Sequence, residues 1–228
     1  MTIVHAVHHT SDVSWWERVL PVLGFSATDH PGTWAGGGLL TIRQTSAADQ
    51  DGATELEVLV PDPASALTAA GTVAQTAQET VQATDGTTIT VSSAVDDLRT
   101  PTLDSGQTQV AVMPIWYSPD PQQPIAVLSA LGLAPRLASD AGGWRDLTAD
   151  GGGQVAWHGS PSVALQLSLE HSGDLDALVP ALAEVGASAT VVDEAYNRTL
   201  LLDAPHGAKL WVNGTQQDLY GYTRMDQG

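Results

Sequence analysis

The chain contains the same supersecondary unit twice. A helix-like run ending Val19-Leu20-Pro21-Val22-Leu23-Gly24-Phe25 returns 108 positions later as Val127-Leu128-Ser129-Ala130-Leu131-Gly132-Leu133. At the same offset His8-His9-Thr10-Ser11-Asp12 meets Trp116-Tyr117-Ser118-Pro119-Asp120. A repeat that keeps strand, turn and helix together points to a duplicated architecture, because one such unit cannot bury its apolar face alone. It also gives each position an internal twin, against which scaffold can be separated from chemistry.

Thr2 to His9 is rich in β-branched residues and reads as a strand; Asp12 to Leu23 reads as a helix capped by Thr10-Ser11-Asp12 and ended by Gly24. Short strands are expected near Phe25 to Asp29 and Leu39 to Gln44, with Gly36 to Gly38 turning the chain. Glu55 to Val60 alternates charged with apolar residues, as a half-buried strand does. A short helix from Pro61 to Gly71 follows, then a hairpin across Asp85-Gly86. Ala94 to Gln107 lacks apolar periodicity and reads as a linker. The second half repeats the programme: strand Gln109 to Tyr117, helix Asp120 to Leu131, three strands, strand Val163 to Glu170, helix Leu175 to Val185 that Pro180 could kink, three strands. The expected architecture is four βαβββ modules in two domains.

Composition narrows the functions. Cysteine is absent, which removes disulfides, thiolate nucleophiles and Cys-bound metals. A formal charge of -18 repels phosphate backbones and anionic lipid, so no nucleic acid and no membrane is expected as partner. It suits solubility and attracts cationic small molecules. No run is apolar enough to span a bilayer, and no secretory signal pattern opens the chain, so a cytoplasmic location is expected.

The order and spacing of the motifs resemble the vicinal oxygen chelate superfamily: glyoxalase I, bleomycin-resistance and fosfomycin-resistance proteins, and extradiol dioxygenases. The matching residues are His5 with Asp12 seven positions on, Leu23-Gly24 at the helix end, and the turns Asp85-Gly86 and Pro205-His206-Gly207. The resemblance implies an α+β fold of two tandem glyoxalase-like domains, with cup-shaped mixed sheets and helices on the outer face. The domains are placed at residues 1–95 and 109–228, joined by a linker at 96–108. It also implies four metal-ligand places per domain, on the first and last strands of each module. In the first domain these carry His5, Thr41, Glu55 and Thr90; in the second, Met113, Ala156, Ala164 and Trp211. His5 and Glu55 are the only metal candidates, so no cofactor is expected, with a divalent metal as the alternative.

Alternation along strands assigns faces. If His5 faces the cup, so do Val7, His9, Glu55, Glu57, Thr41, Arg43, Thr88 and Thr90, while His8 faces the helices. The second domain's inner set is then Met113, Ile115, Tyr117, His158, Gln166, Ser168, Lys209 and Trp211. The candidate ligand-binding residues are accordingly His5, His9, Glu55, Glu57, Thr90, Tyr117, His158, Gln166, Lys209 and Trp211. His9 with Glu57 is a candidate acid–base pair, and no catalytic residue is assigned. The leading expectation is a monomeric or homodimeric protein with degenerate metal sites that binds a small molecule in the cup, cationic ones among the candidates, as bleomycin-resistance proteins bind their drug. The alternatives are a metal-dependent lyase, isomerase or dioxygenase using His5 and Glu55, and a non-catalytic protein-interaction scaffold.

Overall fold

The computed structural model describes residues 1–94, 108–194 and 197–225, so the 96–108 linker lies outside the described residues apart from Thr108. The first strand, β1 (Ile3–Thr10), feeds α1 (Val13–Leu23) through a side-chain cap in which Asp12 accepts the backbone N–H of Trp15. Gly24 closes the helix with φ 100°, a left-handed conformation that glycine adopts without strain. β2 (Ser26–Ala27), β3 (Thr33–Gly36) and β4 (Gly38–Gln44) complete the first module. The second comprises β5 (Thr54–Val60), α2 (Pro63–Ala70), β6 (Gln75–Thr76), β7 (Thr80–Gln82) and β8 (Thr88–Ser93). All eight strands form one sheet in the order β2-β3-β4-β1-β5-β8-β7-β6, in which the two modules join by antiparallel pairing of β1 with β5.

The C-terminal half repeats the order of elements, but its strands form two sheets. Each of the two expected central strands is broken, giving β9 (Val110–Val112) and β10 (Ile115–Ser118), and later β14 (Ala164–Gln166) and β15 (Ser168–His171). Pro114 sits in the first break and has no N–H to give a ladder. The register continues across the breaks, with Ile115 opposite Gln166 and Val112 opposite Leu169. The third module adds α3 (Gln122–Ala130), β11 (Ala134–Ser139), β12 (Trp144–Thr148) and β13 (Gln154–Gly159). The fourth adds α4 (Leu175–Glu184), which runs through Pro180, then β16 (Ala189–Asp193), β17 (Arg198–Asp203) and β18 (Lys209–Gly214). A strand the sequence did not announce, β19 (Tyr222–Arg224), crosses back to pair with β11 at the far edge.

Modules 1 and 2 therefore share one sheet, while 3 and 4 trade strands between two, β14-β10-β13-β12-β11-β19 and β16-β17-β18-β15-β9; the helices pack the other way, α1 against α4 and α2 against α3. One continuous apolar core runs under all four, including Trp15, Trp16, Leu56, Trp116, Leu128, Leu169 and Val212. Burying such side chains contributes about 1.5–3 kcal/mol each. The halves are clasped by reciprocal turns. Gly37 exchanges backbone hydrogen bonds with Val110 and Val112, while Gly151 and Gly152 bond Thr2 and Val4. Backbones meet so closely there that a Cβ on Gly38 would lie 2.6 Å from Val112 Cγ2 and 2.7 Å from the Val4 carbonyl. Among the described residues, no helix is long and apolar enough to cross a membrane.

Candidate functional site: the C-terminal cup

In the N-terminal sheet the face away from the helices carries a continuous polar line. Thr33 Oγ1 lies 2.8 Å from Thr41 Oγ1, and Thr41 Oγ1 lies 2.8 Å from His5 Nε2. His5 Nδ1 is 2.7 Å from Glu57 Oε2, and Ser92 donates to Glu57 Oε1. Burial alone would raise the Glu57 carboxyl, but its bonds to His5 and Ser92 hold it below the ordinary range. His9 Nε2 meets Glu55 Oε1 at 2.9 Å, with Arg43 also near Glu55 at 3.8 Å.

Strand register accounts for these pairs and corrects two expectations. His5 stands directly opposite Glu57, and Val7 opposite Glu55. His9 is thus paired with Glu55, not Glu57, and His5 with Glu57, so His5 and Glu55 share no pair. The expected face of His8 is the observed one: it stacks edge-on against Trp16 beneath α1. Beyond His5 the inner face is closed by an apolar plug of Ile3, Ala35, Leu39 and Leu59.

The two C-terminal sheets enclose a cavity of about 570 Å³ instead. Tyr117, His158 and Trp211, all sequence candidates, line it together with Trp144 and Tyr222. The rings of Tyr117 and Trp144 lie 5.5 and 6.1 Å from the His158 ring, forming an aromatic wall. Burial raises the phenol of Tyr117, and burial with nearby Asp146 raises that of Tyr222, so both hydroxyls remain neutral donors.

The floor holds the groups that sequence reasoning missed. Arg136 donates Nε and Nη2 to Asp146 at 2.7 and 3.1 Å, and Nη1 and Nη2 to Glu170 at 3.0 and 2.8 Å. Trp144 Nε1 adds 3.0 Å to Asp146, and Gln154 Nε2 adds 2.9 Å to Glu170. Burial would lower the Arg136 guanidinium, but the two carboxylates hold it above its ordinary value, so it stays charged. One guanidinium against two carboxylates leaves the floor with a net negative charge.

A β-bulge explains why alternation could not find Arg136. Pro135 is opposite Leu147 and Leu137 opposite Asp146, so Arg136 is the extra residue, and both it and Leu137 reach the cup. The remaining candidates lie elsewhere. Gln166 is exposed and outside the cavity lining, and Lys209 pairs with Asp203 on the outer end of the β17–β18 hairpin. Glu55 and Thr90 border a separate groove of about 500 Å³ between the halves.

No family model and no curated protein matches the sequence. Solved structures do match in fold. The Mn(II)-bound glyoxalase from Novosphingobium aromaticivorans aligns over 94% of this chain and 81% of its own, at 11% identity and TM-score 0.56. A catechol 2,3-dioxygenase aligns over 98% and 95%, at 15% identity and TM-score 0.55. Homoprotocatechuate 2,3-dioxygenase from Arthrobacter globiformis aligns over 96% and 80%, at 13% identity and TM-score 0.54. The chain has the vicinal oxygen chelate fold. At these identities the likeness concerns the fold alone.

Register corrects one assignment made on that resemblance. Gln166 faces Ile115 as Glu55 faces Val7, so the twin of Glu55 is Gln166 and not Ala164. The corresponding places in the C-terminal cup of this vicinal oxygen chelate fold are then Met113, Ala156, Gln166 and Trp211. Their side chains suit a divalent metal poorly: a thioether, a methyl, an exposed amide and an indole. No cluster of three His, Asp or Glu able to hold a metal occurs among the described residues. The donor set present does not fit the metal that the fold implies.

Proposed function

We propose that the C-terminal cup binds a small organic cation, and that the protein holds this molecule without metal-assisted chemistry. The supporting observation is the contrast between twins: the N-terminal cup is plugged by its own side chains, while the C-terminal cup keeps about 570 Å³ of space under aromatic walls. Such walls bury a ligand's body and attract positive charge through their π faces. The net negative floor and the overall charge of -18 favour the same sign.

Thermal shift and calorimetry with three planar probes test this: N-methylquinolinium, neutral quinoline and anionic 1-naphthoate. The cation is expected to raise Tm most and naphthoate not at all; about 2.7 kcal/mol of stabilisation is expected at a hundredfold excess over Kd. Trp211→Ala and Tyr117→Ala should each weaken binding about tenfold, since an aromatic–cation contact contributes roughly 1–2 kcal/mol. Equal response to naphthoate, or indifference to all three probes, overturns the proposal.

A further inference from the structure

The cup floor carries a cation of its own. Asp146 and Glu170 are 1% and 8% exposed, and their oxygens converge on the Arg136 guanidinium from two sides. Carboxylates this close and this buried need a compensating proton, metal or organic cation. Nothing in the scaffold itself demands them. Glu170 lies between Ala111 and Asn213 as Leu59 lies between Ile3 and Ser92, so Leu59 is its N-terminal twin. A further buried oxygen stands beside the pair: Gln154 Oε1 has no hydrogen-bond partner, although the Gln154 amide touches Glu170 through Nε2.

We propose that the Arg136 guanidinium is the resident cation of the C-terminal cup, and that it keeps closed a latent oxygen-donor site formed by Asp146, Glu170 and Gln154. The bulge at Arg136 brings a fixed charge against both carboxylates, on the floor below the places where the resemblance leads one to expect metal ligands. A guanidinium and a metal ion differ in chemistry. Four N–H groups are committed to carboxylates, so the guanidinium offers no open coordination position and no Lewis acidity. With Arg136 removed, two carboxylates and an amide oxygen make a hard donor set of the kind that Ca²⁺, Mn²⁺ and lanthanides choose over softer ions. Arg136 is on this view a positioning residue, and the inference stands whether or not the cup binds organic cations.

Trp144 supplies the readout, because its indole N–H bonds Asp146 and would lie beside any ion bound there. Tryptophan-sensitised Tb³⁺ emission is measured on the intact protein, on Arg136→Ala, on Arg136→Lys and on Arg136→Ala/Glu170→Gln. Emission is expected to rise about tenfold in Arg136→Ala over the intact protein, to fall on adding Mn²⁺, and to vanish in the double variant. Arg136→Lys, which keeps a cation in place, should stay dark. If Arg136→Ala is poorly folded, Mn²⁺ or Ca²⁺ should raise its Tm and leave that of Arg136→Lys unchanged. The proposal is overturned if the intact protein or Arg136→Lys binds as strongly as Arg136→Ala. Emission that persists without Glu170, or an Arg136→Ala protein that responds to no ion in either assay, overturns it as well.

Discussion

Glu170 occupies in the C-terminal half the place that Leu59 occupies in the N-terminal one. The substitution is one of a set. Leu39, opposite Ala35 and in register with His5, closes the first cup; Gln154, at the start of β13, stands in the corresponding position of the second. One floor is apolar and sealed, the other polar and organised around Arg136.

The exchange can be tested through stability. Glu170→Leu alone leaves Arg136 half-paired in a buried site and should cost roughly 3–5 kcal/mol in urea unfolding. Adding Arg136→Met removes the stranded charge but leaves Asp146 with the Trp144 indole and no cation; Glu170→Leu/Arg136→Met/Asp146→Leu should recover to within about 2 kcal/mol of the parent. If the triple variant is no more stable than the single one, the network is structural in a way that apolar packing cannot replace.

Acid should loosen the joint between modules 1 and 4. His8 is buried, with Nδ1 on Thr54 and Nε2 unpartnered, and its ring lies 5.6 Å from that of His206 across the halves. Burial, then the neighbouring His206 and His9, push the His8 pKa down to about 3, against the pull of Asp51; burial also lowers His206. A folded pKa below the unfolded 6.5 means the unfolded chain binds the proton more tightly. The contribution is therefore complete above pH 6.5 and is lost as pH falls toward 3. Over that span His8 accounts for on the order of 5 kcal/mol. His8→Phe should flatten the decline in Tm between neutral pH and pH 4.5 relative to the parent, and an unchanged slope would count against this account.

The pseudo-symmetric joint supplies the control. Trp116, the twin of His8, donates Nε1 to Asp85 at 2.8 Å, just as His8 meets the turn carrying His206. Trp116→Phe should cost about 1–3 kcal/mol for a hydrogen bond to a charged group. It should leave the slope of Tm between pH 7 and 5 as it is, because the indole N–H is a donor that does not titrate in that range.

Glycines at the clasp and at a free turn should respond differently to alanine. Gly38 (φ 87°) is hemmed in by Val4 and Val112, whereas a methyl group on Gly86 (φ 91°) would have nothing within 4 Å of it. Gly86→Ala meets only the left-handed backbone penalty of about 1–2 kcal/mol. Gly38→Ala adds overpacking and should cost about 2–3 kcal/mol more in urea unfolding. Equal losses would remove the steric reading of the clasp.

The scaffold was legible because its signals are local or repeated. The Asp12 cap, the Gly24 helix end, the Asp85-Gly86 hairpin and the alternation of β1 all lie within a few residues of what they determine. Tyr117, His158 and Trp211 followed from alternation and do line the cavity. The floor was not legible. Arg136 sits on a bulge that breaks alternation, and it meets Glu170 from another module, so neither periodicity nor spacing joins them. The twin of Glu55 was misplaced for a related reason: the loops of the third module differ in length from those of the first, and only the ladder reveals the offset.

The reciprocal clasp also bears on synthesis of the chain. Thr2 and Val4 find their backbone partners in Gly151 and Gly152, at the far side of the third module. In a nascent chain the first strand can pair with β4 and β5 early, but its bonds to Gly151 and Gly152 must wait until the third module has left the ribosome. The two halves mature together, with the start of β1 secured by a module made after it.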